Sequence, residues 1–286
     1  TTDGTAMQTA KAPMTRTEQT ITASDVSMWY ETQRGERVNA LDAVSLGVRR
    51  GEFLSLIGPS GCGKSTLLYI VGGLRRQSAG QVSLDGQRVT GPMPAKVGFV
   101  FQDYTLFPWR TVIANVEVGL GFRGVGRRER RAVAAEKLDL VGLRGFADAY
   151  PGELSGGMQQ RVAVARALAM DPEILLMDEP FGALDEQTRT VLGEELARIL
   201  EKTGKTIVFV THSLSEAVFL SDRVVVMSAR PGRVKEILAV DAARPRESGF
   251  ATAPEFTTTR NRLFELLHEE VRAAALAEMQ SGGLDA

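Results

Sequence analysis

The chain is poor in the residues that fasten disulfide-built domains or structural metal sites. Among 286 residues there is one cysteine, Cys62, and there are two histidines, His212 and His268. An intramolecular disulfide framework and a cysteine-rich zinc site are therefore excluded, and the cysteine usage fits a reducing compartment, with the cytoplasm as the expected location. Long apolar runs are missing too. The longest, such as residues 207–210 and 224–227, fall far short of the roughly 18 residues that cross a bilayer, and the first residues show neither the apolar core nor the basic flank of a secretory signal. Nor is there an excess of one charge: 34 Lys and Arg oppose 35 Asp and Glu, a net charge of -1. That balance offers no global field toward a nucleic-acid backbone, so no nucleic-acid partner is expected. Residues 1–20 lack Val, Ile, Leu and Phe; they cannot bury enough surface to offset the entropy of ordering, and a flexible tail is expected there.

What remains is globular in composition, 43% hydrophobic and 24% charged, and long enough for one elaborated domain or two small ones. Residues 21–48 read as strand, with Val44, Leu46 and Val48 alternating against Ser45, Gly47 and Arg49, the pattern of a half-exposed antiparallel sheet. The short apolar run Phe53-Leu54-Ser55-Leu56-Ile57, stopped by Gly58-Pro59, suits a strand buried on both faces. Residues 64–71 read as a helix ended by Gly72-Gly73. Asp85-Gly86 between residues 82–84 and 87–89 signals a hairpin. Residues 97–101 form a further strand, and residues 111–170 are largely helical. Strands at 174–177, 206–210 and 224–227 then alternate with helices at 186–202 and 214–220, which predicts a parallel sheet covered on both faces. Ser213 and Glu216 have the spacing of a capping box. Arg230-Pro231-Gly232-Arg233 reads as a turn before a last strand. A linker is expected near Arg244-Pro245, followed by an amphipathic helix over 262–279 with Leu263, Leu267 and Val271 on one face.

The chemistry concentrates at strand ends. Gly58-Pro59-Ser60-Gly61-Cys62-Gly63-Lys64-Ser65 fits a phosphate-binding loop at every position, between a buried strand and a helix. Its glycines let backbone N–H groups converge on phosphate oxygens, the helix N-terminus adds a positive dipole, Lys64 reaches the terminal phosphates, and Ser65 suits a magnesium ion. Cys62 reads as a small residue filling a tight loop rather than a redox group. Asp178 and Glu179 follow a hydrophobic strand at the edge where open α/β sheets bind ligands. Asp178 suits the metal, and Glu179 a water attacking the terminal phosphate. His212 ends another strand at that edge, toward the γ-phosphate, and Gln102 follows the strand at 97–101, toward metal or water. His268 is expected to face solvent. Ser155-Gly156-Gly157 at a helix start offers a second anion-binding terminus.

With these motifs in this order, together with Ala183-Leu184-Asp185, the chain resembles the nucleotide-binding subunits of ATP-binding cassette transporters over nearly all of residues 21–240. The resemblance implies an α/β fold: a P-loop NTPase core with a mainly parallel sheet, an antiparallel β subdomain, and a helical subdomain inserted at about 103–170. The cassette is expected over 21–243 and a C-terminal linker and helix over 244–286. ATP and Mg2+ are the implied cofactors. Nucleotide contacts fall to Tyr30, with Trp29 the neighbouring candidate for stacking on adenine, to Gly58, Pro59, Ser60, Gly61, Cys62, Gly63, Lys64, Ser65, Thr66 and Asp185, and across a head-to-tail dimer to Ser155, Gly156 and Gly157. Ser65, Gln102 and Asp178 are the implied metal ligands, and Glu179, His212, Gln102 and Lys64 the catalytic set.

The implied role is an importer ATPase at the cytoplasmic face of the cell membrane. Its expected partners are transmembrane permease subunits, a second cassette, and a substrate-binding protein acting through the permease. Met158, where the commonest signature has glutamine, and Leu106-Phe107-Pro108-Trp109 are similar to the nitrate, sulfonate and taurine importers. Phe107 and Trp109 are expected to dock a coupling helix of the permease, with packing under the helical insertion as the competing reading for Trp109. The alternative function is a soluble cassette acting on nucleic acid or ribosomes, which could draw on the basic run Arg127-Arg128-Glu129-Arg130-Arg131; a solvated helix face is the simpler account of that run.

Overall fold

The computed structural model describes residues 19–31, 35–182, 184, 186–244 and 246–282, with the backbone alone at 186, 248 and 275–282. The expected tail, apart from Gln19 and Thr20, and Asp185 lie outside the described residues.

Two long strands, β1 (Gln19–Glu31) and β2 (Arg37–Arg49), pair antiparallel, and β1 also pairs with β4 (Ala79–Leu84). A two-residue turn at Asp85 and Gly86, both at positive φ, returns β4 into β5 (Gln87–Arg88). That turn geometry matches the twist of the flanking strands. The alternation read at residues 44–48 holds, since Val44, Leu46 and Val48 are buried and their neighbours are not.

The second sheet runs β10-β9-β3-β8-β7-β6. Here β3 is Phe53–Ile57, β6 Val97–Val100, β7 Ile174–Asp178, β8 Thr206–Val210, β9 Arg223–Met227 and β10 Val234–Ala239. All neighbours are parallel except β10, which returns antiparallel onto β9 through the turn read from Arg230 to Arg233. Every residue of β3, β7 and β8 is buried, as a strand covered on both faces requires.

Successive residues divide between two apolar layers. Phe53, Leu175, Met177, Ile207 and Phe209 pack with α2 (Val112–Val116), α3 (Val118–Phe122), α4 (Arg127–Leu140), α5 (Gly156–Ala169) and α6 (Glu186–Thr203). Leu54, Leu56, Ile174, Leu176, Val208 and Val210 face the other way, onto α1 (Lys64–Val71) and the antiparallel sheet.

Beyond β9, Val224 and Val226 pack with α7 (Leu214–Leu220) and α8 (Pro254–Gly282). Ser213 caps α7 through Glu216 N, but the reciprocal half of the expected capping box does not form. Glu216 instead accepts from Thr211 Oγ1 at 2.5 Å, and Ser213 N donates to Thr211 Oγ1 at 3.0 Å. The last helix begins earlier than expected and is turned differently. Phe256, Leu263 and Leu266 are its buried anchors, whereas Val271 is 49% exposed: the packed side continues through Glu270, 16% exposed against the β9–β10 turn, and Val271 lies beside that stripe, facing out. As expected, His268 is exposed, with its ring against Phe264 at 5.8 Å.

Leu263→Ala should therefore cost about 2–5 kcal/mol of stability and Val271→Ala less than about 0.5 kcal/mol, read from urea melts. Equal losses would mean that α8 is seated on the other face.

Candidate functional site

Because β9, β3, β8, β7 and β6 are parallel, the loops leaving their C-terminal ends share one edge. The loop from β3 to α1 closes on itself, with Cys62 N donating to Pro59 O at 3.3 Å. Gly63 takes φ +100, and a Cβ there would stand 2.6 Å from Leu41 Cδ2 and 2.9 Å from Ala40 O, so both conformation and space demand glycine. Lys64 is 6% exposed, and its Nζ donates to Gly58 O at 2.9 Å and Pro59 O at 3.0 Å. The ammonium thus lies inside the curl of the loop. Cys62 is 1% exposed; burial pushes its thiol up, outweighing the nearby Lys64 cation, and a raised, enclosed thiol is inert rather than redox-active.

Ser65 Oγ donates to Asp178 Oδ1 at 2.8 Å across the intervening strand β8. A hydroxyl and a carboxylate 2% exposed form a pair of hard oxygens of the kind a magnesium ion takes. One turn further along α1, the Tyr69 phenol is pushed up to about 12, first by burial and then by the neighbouring Asp178 carboxylate.

Glu179 leaves the sheet at φ +41, a left-handed conformation costly for a residue with a side chain, and its N–H donates to Val210 O at 2.9 Å. The bend brings Glu179 Oε2 to 3.2 Å from His212 Nδ1, and His212 Nε2 lies 3.4 Å from Arg189 Nη1. A guanidinium only donates, so Nε2 accepts and the neutral ring carries its proton on Nδ1, pointed at Glu179. Arg189 is fixed in turn by Leu184 O at 3.1 Å and by Glu216 at 3.4 Å. Gln102, exposed after β6, enters the same corner: a Cβ built on Gly182 would stand 3.8 Å from both Gln102 Nε2 and Glu179 Oε2.

Tyr30 lies beside α1, its hydroxyl 3.5 Å from Thr66 Oγ1 and accepting from Arg75 Nη1 at 2.8 Å. Trp29 points to the other side of the strand, under the Arg37 guanidinium 3.4 Å from its ring. Ser155, Gly156 and Gly157 lie at the start of α5, where Ser155 Oγ accepts from Met158 N at 3.4 Å, and a Cβ on Gly156 would stand 3.3 Å from Leu184 and 3.4 Å from the Tyr104 hydroxyl. A Cβ on Gly157 would meet Leu192 at 2.8 Å. Sequence reasoning missed Arg189, Arg75 and Tyr69. The first two are helix and loop cations without motif context; the i, i+4 spacing from Ser65 was the available signal for Tyr69.

The family described as ABC transporter matches residues 41–182. An uncharacterized ABC transporter ATP-binding protein of Methanocaldococcus jannaschii is 56% identical, covering 83% of this chain and 87% of its own. A taurine import ATP-binding protein of Rhizobium johnstonii is 49% identical, covering 87% of this chain and 97% of its own. Among solved structures, an ATP-binding cassette in a dimeric post-hydrolysis state with ADP and phosphate superposes with a TM-score of 0.69 at 36% identity, over 78% of this chain and 100% of its own.

In the folded chain Cys62 should react with a thiol reagent at least about 10²-fold more slowly than in urea, since modification requires local opening. A folded-state rate within twofold of the unfolded one would contradict the enclosed thiol.

Proposed function

The chain belongs to the ABC transporter family, and from that premise we propose that it is the ATP-hydrolysing subunit of an importer for a small anion of the nitrate, sulfonate or taurine kind. The observation that carries this reading is the convergence of Lys64, the Ser65–Asp178 pair and the Glu179–His212 pair on one sheet edge. The anion class rests on the taurine relative and on its nitrate and sulfonate counterparts. ATP binds in the loop from Gly58 to Thr66, with Tyr30 as the adenine platform, because Trp29 is covered by Arg37. Asp185 belongs to the same contact set.

Ser65, Asp178 and Gln102 would hold Mg2+, which when bound neutralises phosphate charge and polarises phosphoryl oxygens. Lys64 supplies the fixed cation at the terminal phosphates, where positioning and charge provide most of the rate. Glu179 takes the proton of the attacking water. His212, held by Arg189, donates to Glu179 and keeps that carboxylate oriented. Ser155, Gly156 and Gly157, at the start of α5, complete the site from a second cassette, a reading supported by the dimeric state of the solved cassette that the chain resembles.

Among the described residues no helix is long and apolar enough to cross a membrane. The chain works at the cytoplasmic face with permease subunits, and a substrate-binding protein delivers the solute to them. The import ATP-binding relatives disfavour the alternative of a soluble cassette on nucleic acid or ribosomes; in the basic run, Arg130 faces Glu117 at 3.7 Å and Arg131 faces Asp148 at 3.2 Å.

Glu179→Gln should bind ATP, lose roughly 10²–10⁴ in turnover, and elute as a dimer in MgATP. Adding Ser155→Arg should keep ATP binding and return the protein to a monomer. Near-normal turnover would remove Glu179 from its role, and a dimer in the double variant would end the composite-site reading.

Trp109 is 71% exposed and stands 5.6 Å from Phe107, on a loop that buried Asn115 holds by accepting from Phe107 N and donating to the Phe107, Arg110 and Thr111 carbonyls. A stiff loop carrying an exposed tryptophan against a half-buried phenylalanine suits an interface anchor. Trp109→Ala should shift Tm by less than about 2 °C and keep ATP binding, while lowering recovery of the permease in co-purification. Full recovery with normal uptake would assign the docking surface elsewhere.

A further inference from the structure

The turn from β9 to β10, residues 228–233, is wedged against the outside of the phosphate loop. Gly232 N donates to Ala40 O at 2.9 Å, and Asp42 N donates to Gly232 O at 3.0 Å, which ties the turn to β2. A Cβ on Gly232 would overlap the Cys62 carbonyl oxygen, at 1.9 Å, so the two backbones are in direct contact. Out of this turn Arg230 reaches the loop itself, with Nε and Nη2 donating to Gly61 O at 3.3 and 3.2 Å. The turn has a second support on its other side. Glu270 of α8 accepts from Ala229 N at 2.8 Å while pairing with Lys235 at 2.8 Å. Between α8 and the loop lies an open groove of about 580 Å³, so the helix touches the loop's surroundings through the turn rather than through the loop.

We propose that Arg230 and Glu270 are positioning residues for nucleotide binding, a role that rests on the ATPase reading given above. In a trans peptide the carbonyl and the following N–H point in opposite directions. Anchoring Gly61 O outward on Arg230 therefore turns Cys62 N–H into the loop, where it meets the Pro59 carbonyl that also accepts from Lys64 Nζ. Gly61 takes φ +74, a conformation with little intrinsic preference for this orientation over others, so an external anchor is needed to hold it. Glu270 does the same one step back. Its charge-assisted bond to Ala229 N fixes the backbone immediately before Arg230 and hence the origin of that side chain. The C-terminal helix thereby sets the resting shape of the phosphate loop without touching substrate.

The test uses the full chain and compares KM for MgATP, kcat at saturation and Kd for MgADP. Arg230→Met removes both donors from an exposed side chain, and Glu270→Ala removes the acceptor. Each should raise KM and Kd about five- to tenfold, the loss of one well-formed hydrogen bond, with kcat within twofold. Glu270→Gln keeps an acceptor for Ala229 N and should restore wild-type values. Glu269→Gln weakens the exposed ion pair that ties α8 to Lys235 while leaving Glu270 in place, and should leave KM unchanged. A KM within twofold of wild type for both Arg230→Met and Glu270→Ala overturns the proposal, as does a Glu269→Gln variant that matches Glu270→Ala. A wild-type chain without ATP hydrolysis would instead overturn the ATPase reading itself, and is distinguished before any variant is made.

Discussion

Everything at the site depends on β3 being a parallel strand flanked by β8 and β9 and buried along its whole length. A strand in that position can deliver its following loop only at the C-terminal edge of the sheet, and its parallel neighbours deliver theirs beside it. The register makes this quantitative in residues: Leu56 pairs with Val210, and Val210 with Asp178. The loop after Ile57, the residues after Val210 and the acid pair at the end of β7 thus emerge at one level. Phe53, Leu175, Met177, Ile207 and Phe209 bury one face and Leu54, Leu56, Leu176 and Val208 the other. A one-residue slip of any strand would exchange those faces, so the register is enforced by the same apolar burial that stabilises the sheet.

On this edge the polar groups are arranged in two clusters with different logic. Lys64, Ser65 and Asp178 are buried or nearly so and bond to one another or to the loop, which keeps opposite charges in low dielectric and close to where phosphate would lie. Glu179, His212, Arg189, Glu216 and Thr211 form a chain of contacts that opens to solvent at one link, His212, which is half exposed, while Thr211 is buried. Rigid charge suits holding an anion. A histidine held between a carboxylate and a guanidinium suits orienting the group that takes a proton. Asp178 and Glu179, adjacent in the chain, fall into different clusters, Asp178 against Ser65 and Glu179, at positive φ, against His212.

The segment beyond β10 is tied into the cassette by side chains rather than by a sheet. Arg246 is buried, and burial brings its guanidinium down to about 10. It donates to the Val218 and Phe219 carbonyls at the end of α7 and to the carbonyls of Val240 and Ala242. Such a cation satisfies the orphan carbonyls of a helix C-terminus and complements its dipole. Arg244 pairs with Asp222, whose backbone and side chain also bond to Phe53. From this fixed origin α8 runs back along β9 to the turn behind the phosphate loop, which is how a helix remote in sequence comes within one residue of it.

Much of this was decided by the sequence alone. Short apolar runs ended by Gly-Pro or by acids, and the glycine, lysine and serine order from Gly58 to Ser65, specify buried strands and a phosphate loop because those local geometries tolerate few other residues. The hairpin at Asp85-Gly86 and the helix from Leu214 to Leu220 were legible for the same reason. The tertiary structure decided what depends on neighbours distant in the chain. Glu216 had the spacing to complete a cap, but Thr211 and Arg189 compete for its carboxylate. Val271 had the spacing to face the core, but α8 is turned so that Phe256, Leu263, Leu266 and then Glu270 face the fold, which leaves Val271 outside that stripe. Periodicity fixes which residues share a face; where that face finds a partner is set by packing, and Arg189 against His212 or Arg230 against Gly61 carries no local signature at all.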